Sequence, residues 1–332
     1  MNNWLEDYTI CDKSIWTGRV DDLDDPDSFR MHQVIQLIDL KRIEDTQLNL
    51  GVTNFCILGF CSDEGVKRNL GRQGAVNGPE YIRKEFANLP VTFGDLAKIY
   101  DAGNIHCVNG DLEHAQEQLA KAVKIILDNN FFPLVLGGGH EVAFGHYNGI
   151  VNHLDKKSLV GIINFDAHFD LRPYKKQGSS GTMFSQIADK CSCENRKFSY
   201  LCLGVQTYGN TISLFKKADS LGVNYILEKD MVEANFQKNM EKVNRFIEAQ
   251  DHIYVTICSD VFNSAYAPGV SSIQPFGLNP EIILDFLKQI FKSKKLVSFD
   301  IAEISPRFDF DNRSAKLAAI VLYAIINYYN ES

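Results

Sequence analysis

The sequence of 332 residues lacks the long apolar runs that membrane proteins need. No run reaches the ~18 to 20 apolar residues that span a bilayer, and no charged-then-apolar pattern marks a secretory signal. Basic residues are not in excess either, because the formal net charge is -8 and the lysine cluster at 292–295 is short. These absences predict no membrane partner and no nucleic-acid partner, and they make the cytoplasm the expected location.

Cysteine pairs at the spacing of zinc ligands are also scarce. The sequence has 8 cysteines, and the closest two, Cys191 and Cys193, fall in a stretch that we interpret as a polar loop. A structural zinc site would require a second pair of cysteines, and no second pair lies nearby. Several of the other cysteines occur in apolar, strand-like runs, so we expect reduced thiols in a core.

No internal repeat, low-complexity linker or clear domain boundary divides the chain. Strand-like apolar runs, of which residues 55–60 are the first strong one, alternate with helix-like runs about eight times. This alternation predicts a parallel sheet with helices on its faces, and the continuous apolar strands favour a sheet that is covered on both sides. We predict a single α/β domain over residues 1–332, with residues 1–50 as an amino-terminal extension.

One apolar run, residues 162–165, ends in polar side chains at every second position. Asp166, His168 and Asp170 would project to one side of an extended backbone, at or just past the end of a strand. In an open α/β sheet, ligands bind at the carboxyl ends of the strands. The segment is therefore a candidate site, although a hydrogen-bonded turn would explain it if it stood alone.

Two further strand ends carry residues of the same kind. His140 follows the glycines at 137–139, whose backbone freedom would allow a sharp turn. Cys258 and Asp260 end another apolar run and would again face one way. Histidines with several carboxylates form an oxygen-rich set that suits Mn²⁺ better than zinc, and so many carboxylates indicate two ions. Two such ions can activate one shared water molecule.

These three strand ends resemble the metal motifs of the arginase/agmatinase (ureohydrolase) family. The segments concerned are Gly137-Gly138-Gly139-His140, Asp166-Ala167-His168-Phe169-Asp170 and Thr256-Ile257-Cys258-Ser259-Asp260. Further segments resemble the branch of the family that hydrolyses N-formimidoyl-L-glutamate in histidine degradation; they are residues 16–19, 68–75, 139–141, 170–172, 180–182, 267–271 and 302–306. The resemblance extends from about residue 16 to the end of the sequence.

The resemblance implies a three-layer α/β/α fold with a mostly parallel sheet of about eight strands, and two Mn²⁺ ions per subunit. It implies that His140 and Asp170 hold one ion, that His168 and Asp260 hold the other, and that Asp166 bridges them. The expected reaction is attack of a metal-bridging hydroxide on the formimidoyl carbon, with Asp170 as hydrogen-bond partner and proton carrier. The products would be L-glutamate and formamide. Because the family often forms oligomers, a homo-oligomer is expected.

The proposed small-molecule substrate carries carboxylates, so its pocket should present arginine at one end. Arg172 follows the candidate ligands, and its planar guanidinium suits bidentate binding of a carboxylate. Arg72, in a glycine-rich loop, is a further candidate, with support of the fold as the alternative. Glu303 matches the family glutamate that receives the nitrogen end of the substrate. Ser180 and Thr182 could hydrogen-bond the substrate or could form a turn.

The sequence departs from the family pattern at two positions. Cys258 replaces the second bridging carboxylate, so either its thiolate bridges the ions, or the second ion binds weakly, or the thiol is buried and inert. Phe184 replaces the histidine that arginases use as a proton shuttle, which argues against arginase activity. Three alternatives stay open: an agmatinase or guanidinobutyrase type of ureohydrolase, a metal-poor binding protein, and amidine chemistry with Cys258 as the nucleophile.

Overall fold

The structure, a computed structural model, describes residues 5–48 and 51–331 of the chain. Its strands are β1 (Tyr8–Thr9), β2 (Gln36–Leu37), β3 (Thr53–Cys61), β4 (Ala97–His106), β5 (Phe132–Leu136), β6 (Val160–Phe165), β7 (Ser199–Val205), β8 (Asn224–Leu227), β9 (His252–Cys258) and β10 (Leu296–Ala302). Its helices are α1 (Met31–Val34), α2 (Glu64–Arg68), α3 (Gly78–Ala87), α4 (Leu112–Asp128), α5 (Val142–His153), α6 (Met183–Cys193), α7 (Ile212–Ser220), α8 (Phe236–Glu248), α9 (Pro280–Phe291) and α10 (Arg313–Glu331).

The strands of the described residues form one 10-stranded sheet in the order β1-β4-β3-β5-β10-β9-β6-β7-β8, with β2 also paired to β4. Neighbouring strands are parallel, except that β1 runs antiparallel to β4. The two strands beyond the predicted eight, β1 and β2, have 2 residues each. Strands this short leave no periodic pattern in the sequence, so they could not be predicted.

Helices cover both faces of the sheet, and the strand residues alternate between two cores. Ile57, Ile163 and Ile257 pack into a core with α3, α8, α9 and α10. Leu58 and Ile162 are adjacent in sequence to Ile57 and Ile163 and point to the opposite face of the sheet. They pack into a second core with α4, α5, α6 and α7. Each fully buried aliphatic side chain contributes roughly 1.5 to 3 kcal/mol to folding. The predicted three-layer α/β/α architecture is confirmed.

The cysteine pair near residue 192 corrects one prediction. Cys191 and Cys193 lie in the last turn of α6 and not in a polar loop. The helix continues this far because Phe184, Ile187 and Cys191 are buried at helical spacing on one face. All the cysteines of the described residues are free thiols.

The described part of residues 1–50 packs against the β4 edge of the sheet. The Trp16 indole N–H donates to Asp101 Oδ2 at 2.8 Å, beside a buried ion pair in which Arg83 Nε lies 2.8 Å from the same oxygen. This contact fixes Trp16, the first residue of a segment that resembles the family (residues 16–19), against β4 near the edge of the sheet. Among the described residues, no helix is long and apolar enough to cross a membrane.

Candidate metal centre and substrate cavity

The candidate site lies at the carboxyl ends of four consecutive strands of the sheet, β5, β10, β9 and β6. His140 follows β5, Glu303 follows β10, Cys258 ends β9, and Asp166 follows β6. Because these strands are parallel, their carboxyl ends meet at one edge of the sheet. The fold therefore brings together side chains that lie far apart in the sequence.

The glycine triplet before His140 is required by close contacts. A Cβ atom on Gly138 would lie 1.8 Å from the carbonyl oxygen of Ser62, and one on Gly139 would lie 2.0 Å from Glu141 Oε2. The Gly139 N–H donates to that Ser62 oxygen at 2.9 Å. None of the three glycines has a positive φ. The triplet thus lets the Ser62 backbone and the Glu141 side chain approach closely. The backbone also bends at residues 138–139 and turns at residues 140–141, as the sequence suggested.

Asp166 stands between the two histidines of the site. Its Oδ2 lies 3.1 Å from His140 Nδ1, and its Oδ1 lies 3.4 Å from His168 Nδ1. The carboxylate is held in place by the backbone N–H of His168, which donates to Oδ1 at 2.7 Å, and by Asn164 Nδ2, which donates to Oδ2 at 3.1 Å. Each oxygen of Asp166 therefore faces a different histidine, as a carboxylate shared by two ions would.

Two carboxylate residues of the site have left-handed backbones. The φ angle is 49° at Asp170 and 68° at Glu303. Such angles are uncommon outside glycine and are concentrated at functional sites. The strand before Asp170 ends at Phe165, so the alternation expected from an extended backbone does not continue through residues 166–170. The loop still brings Asp170 Oδ2 to 3.0 Å from His140 Nδ1.

Cys258 and Asp260 join different parts of the site. Cys258 forms one potential ligand group with His140 and Asp166, and Asp260 forms a second with Asp166 and His168; the ligand atoms of each group lie within 4.8 Å of one another. Asp260 Oδ2 is 3.2 Å from His168 Nδ1. The Cys258 thiol is buried, yet it lines the cavity of the site.

Burial gives the site an unusual electrostatic balance. Burial raises the pKa of Glu303 well above its usual value, and the charge of Glu141 raises it further. Burial and then the charge of Asp166 raise the pKa of Asp170 to about 6. Burial would lower the pKa of His140, but hydrogen bonds to Asp166 and Asp170 outweigh it, so that pKa is raised. These shifts arise because several negative charges are crowded together in a buried site.

The residues fit two divalent cations. Asp260 Oδ1 and Glu303 Oε2 are buried and have no hydrogen-bond partner among the described residues. Buried carboxylate oxygens without partners are costly unless a proton or a cation compensates them. Mostly carboxylate and imidazole donors, in two groups that share Asp166, match the preference of Mn²⁺. Without a cation, burial and then the charges of Asp166 and Asp260 raise the pKa of the Cys258 thiol well above its usual value.

A cavity of about 270 Å³ opens above these ligands. Arg172 and Ser180 lie in its wall, and no hydrogen-bond or ion-pair partner of the Arg172 guanidinium occurs among the described residues. The Arg172 side chain runs over Gly181, where a Cβ atom would lie 2.8 Å from Arg172 Cδ. Larger grooves of about 580, 700 and 360 Å³ lie elsewhere, and none of the candidate site residues lines them.

Two of the predicted substrate-binding residues are occupied by other contacts. Arg72 lines the cavity, but its guanidinium donates to the carbonyl oxygens of Val270 at 2.6 Å and Ser271 at 2.9 Å, and it covers the Phe308 ring. Thr182 lies outside this cavity. Its hydroxyl accepts from the backbone N–H of Ser179 at 2.8 Å, as in a turn. The structure thus favours the alternatives of fold support for Arg72 and a turn for Thr182.

Phe184 lies against the site without offering a proton-transfer group. Its ring packs edge-on to the His140 imidazole at a centroid distance of 5.7 Å, and it stacks on Tyr200 at 4.3 Å. The Phe184 ring therefore cannot carry a proton to or from the substrate. The aromatic contact restrains the orientation of the His140 ring instead.

Glu141 shapes the site, although sequence reasoning assigned it no role. Glu141 is fully buried, and its Oε1 accepts from the Ser62 hydroxyl and from the Gly65 N–H, each at 3.0 Å. Burial raises the pKa of Glu141 to about 7. These contacts hold the start of α2, which leads to Asn69 in the cavity wall. A charged residue directly after Gly-His, before a buried helix, was the available signal.

Known proteins that are similar to the chain carry related names. A sequence model described as the arginase family matches residues 53–327. A formimidoylglutamase of Clostridium tetani (strain Massachusetts / E88) is 51% identical over 324 residues, which cover 96% of this chain and 96% of the relative. A formimidoylglutamase of Legionella pneumophila (strain Paris) is 42% identical over 325 residues, which cover 97% of this chain and 98% of the relative.

Solved structures share the fold. The crystal structure of formimidoylglutamase from Bacillus subtilis subsp. subtilis str. 168 has a TM-score of 0.79 at 21% identity, covering 95% of this chain and 96% of that one. Trypanosoma cruzi formiminoglutamase with Mn²⁺ has a TM-score of 0.74 at 24% identity, covering 88% of this chain and 98% of that one. At these identities the likeness concerns the fold alone.

Proposed function

Because the chain belongs to the arginase family, it is an enzyme of the ureohydrolase class. We propose that it hydrolyses N-formimidoyl-L-glutamate to L-glutamate and formamide with two Mn²⁺ ions. This reaction would place the enzyme in histidine degradation. The observation that carries the proposed substrate is Arg172, a guanidinium without a partner among the described residues. It lies in the wall of a cavity that is also lined by carboxylates. The names of the curated relatives support the same substrate.

The proposed metal ligands follow the two groups that share Asp166. His140, Asp166 and Asp170 would hold one ion, with Cys258 beside them, and Asp166, His168 and Asp260 would hold the other. When bound, two divalent ions supply Lewis acidity that makes water a nucleophile at neutral pH and polarises the amidine. The position of Cys258 in the first group supports a ligand role over that of an inert core thiol.

The two ends of the substrate differ in charge, and so do the two sides of the cavity. Arg172 would bind a carboxylate of the glutamate part through charge-assisted hydrogen bonds. Glu303 Oε1 accepts from the His140 N–H at 2.9 Å, which leaves Oε2 free to accept from a formimidoyl N–H. A cationic amidine beside Glu303 would also compensate its buried charge. The reactive carbon would then lie over the metal ligands.

Hydrolysis adds water to the formimidoyl carbon, breaks the bond from that carbon to the glutamate nitrogen, and leaves a proton on that nitrogen. Asp170 is the proposed proton carrier, because it lies beside His140 and lines the cavity. Phe184 offers no alternative at its position. The burial of His140, Asp166, Asp260 and Glu303 strengthens the electrostatic effect of the site on a bound substrate.

An activity screen with Mn²⁺ against formimidoylglutamate, arginine, agmatine and guanidinobutyrate tests the proposal. We expect turnover of formimidoylglutamate well above the other three. Hydrolysis of arginine without hydrolysis of formimidoylglutamate would contradict the role of Arg172. The Mn²⁺ content of the purified protein should approach two ions per chain, whereas a content near zero would favour a metal-poor binding protein.

Nucleophilic chemistry at Cys258 is the second candidate that the same site allows. Its test is a Cys258→Ala variant assayed at saturating Mn²⁺, together with the intact mass of the wild-type protein during turnover. The raised pKa of the buried thiol keeps it protonated in the absence of a cation, which makes it a poor nucleophile. We expect residual turnover in the variant and no covalent adduct in the wild-type protein.

A further inference from the structure

A continuous chain of hydrogen bonds runs from His140 into the core between the sheet and α5. His140 Nε2 lies 3.0 Å from Thr256 Oγ1, and Thr256 Oγ1 lies 2.6 Å from Asp300 Oδ1. The other oxygen, Asp300 Oδ2, accepts from the Tyr254 hydroxyl and lies 2.6 Å from His146 Nδ1. All five residues are at most 1% exposed.

The donors and acceptors of this chain define which nitrogen of His140 carries a proton. Asp300 is a carboxylate with three potential donors around it, so it acts as an acceptor. Thr256 has one hydroxyl hydrogen, and it donates that hydrogen to Asp300. The Thr256 oxygen can then only accept from His140, so Nε2 carries the proton. His140 Nδ1, on the side of Asp166 and Asp170, is then the ring nitrogen that is left for an ion.

We propose that Asp300, held by His146 and Tyr254, is a positioning residue that acts through Thr256 to present His140 Nδ1 to a divalent ion. The inference rests on the proposed function, because it concerns the same metal centre. It adds residues that touch neither the ions nor the substrate. Partners of this kind fix the tautomer and the ring orientation of a histidine ligand and increase its basicity.

The cost of the arrangement argues against an incidental role. Asp300 lies within β10, with β5 and β9 on its two sides, and is fully buried. A well-packed apolar group at such a position is often as stable as a buried charge pair or more so. The partners of Asp300 are themselves hydrogen-bonded. His146 from α5 also lies 2.5 Å from Ser298 Oγ, and Ser298 donates to the Pro133 carbonyl oxygen at 3.2 Å.

The hydroxyl of Thr256 can be removed with little change of shape, which gives a matched pair of variants. Thr256→Val lacks the hydroxyl that accepts from His140 Nε2, and Thr256→Ser keeps it. Metal-free wild-type and variant proteins are titrated with Mn²⁺ in a calorimeter, and two binding steps are resolved. We expect Thr256→Val to weaken one step by about 10- to 100-fold and to leave the other unchanged, whereas Thr256→Ser keeps both.

A second variant addresses Asp300 itself. Asp300→Asn retains the size of the side chain but can donate to Thr256, which would reverse the hydroxyl. We expect the same single step to be weakened, with the melting temperature of the metal-free protein recorded beside it. If Asp300→Asn does not fold, the Thr256 pair decides the matter alone.

Two results would overturn the inference. One is equal Mn²⁺ affinity of the Thr256→Val and Thr256→Ser proteins at both steps, and the other is an equal loss at both steps with a lowered melting temperature. Hydrolysis of formimidoylglutamate by the wild-type enzyme at saturating Mn²⁺ tests the proposed function separately. An inactive wild-type protein that still binds two ions would contradict the proposed substrate and leave the titrations fully informative.

Discussion

The floor and the rim of the cavity are built in different ways. We define the floor as His140, Asp166, His168, Asp170, Cys258, Asp260 and Glu303, which stand at the carboxyl ends of four strands. We define the rim as the loop residues 69–72, 172, 180 and 271–272. Most of the floor is buried, with His168 and Asp170 partly exposed, and its side chains contact one another. The rim is held by bonds to neighbouring loops. The floor therefore suits metal ions, and the rim suits discrimination among substrates.

Three arginines around the rim show this division further. Arg68 binds Glu113 through Nη1 at 2.7 Å and through Nη2 at 3.1 Å, and it donates to the Gly178 carbonyl oxygen at 3.2 Å. Arg72 binds main-chain carbonyl oxygens across the cavity. These two connect the rim loops to each other and to α4. Arg172 has no such partner among the described residues, and it is the arginine left for a ligand.

The largest effect is expected from the centre of the floor. Asp166→Asn removes the charge that both proposed ions share, so Mn²⁺ content should fall below one ion per chain. The loss of several kcal/mol of metal catalysis predicts a fall in kcat/KM of about 10³-fold or more. Metal analysis and steady-state kinetics measure both quantities. Asp95→Asn, at an exposed carboxylate, is the control. Full metal content in Asp166→Asn would contradict the bridging role.

Glu303→Gln tests the part of the floor that is proposed to meet the substrate. The variant keeps an oxygen that can accept from the His140 N–H but loses the charge. Neutralising one partner of a buried, hydrogen-bonded charge pair costs about 2 to 5 kcal/mol, so kcat/KM should fall by about 10²- to 10³-fold. Calorimetric titration should show unchanged Mn²⁺ binding. A parallel loss of metal would instead assign Glu303 to the ions.

Arg172→Ala tests the rim. The loss of hydrogen bonds between charged groups costs about 1.5 to 3 kcal/mol, so KM for formimidoylglutamate should rise by about 10- to 100-fold. The value of kcat and the Mn²⁺ content should change little, since the floor is intact. Arg172→Lys should recover only part of the loss, because lysine cannot bind a carboxylate bidentately. An unchanged KM in the alanine variant would refute carboxylate recognition by Arg172.

Arg72→Ala should affect stability more than recognition. Two hydrogen bonds to carbonyl oxygens would be lost, which lowers the free energy of unfolding by about 1 to 3 kcal/mol. Denaturant unfolding of the metal-free protein measures this change. The relative rates with formimidoylglutamate and with an amidine that lacks carboxylates should stay as in the wild type. A shift in that preference as large as the one in Arg172→Ala would return Arg72 to the substrate site.

The smallest effect is expected from Thr182→Val. The hydroxyl of Thr182 belongs to a turn outside the cavity, so its loss should cost about 1 kcal/mol of stability and leave KM unchanged. Ser180→Ala is the matched comparison, because Ser180 lines the cavity. A larger rise in KM for Thr182→Val than for Ser180→Ala would reverse the assignment made from the structure.

Local patterns predicted several elements closely. Apolar residues at helical spacing over residues 112–127 predict a helix, and the structure has α4 there, capped by Asp111, whose side chain accepts from the His114 N–H. Asn279 followed by Pro280 predicts a helix start, and Asn279 caps α9 through a side chain that accepts from the Glu281 N–H. Helix caps and helical stripes depend on residues a few positions apart, so they can be read from one segment. The two-residue strands and the helical turn at Cys193 needed their packing partners.

The predictions for the site divide in the same way. The candidate ligands His140, Asp166 and Asp260 could be identified because polar residues end apolar runs. Their grouping, with Asp166 common to both groups, depends on which strands are neighbours. Asp300, a charged residue inside an apolar run, was a signal whose meaning depends on His146, 154 positions away.

The sequence by itself determined the kind of chemistry, because oxygen and imidazole ligands, glycines and an arginine two positions after Asp170 are properties of the residues. It also determined the alternation of strands and helices, since hydrophobic spacing acts locally. Only the tertiary structure decided that β10 lies between β5 and β9 and so brings Glu303 to His140. It also decided that Arg72 is engaged with Val270, 198 positions away, and that Arg172 is not. Strand pairing and long-range contacts follow from packing the whole chain, which no single segment encodes.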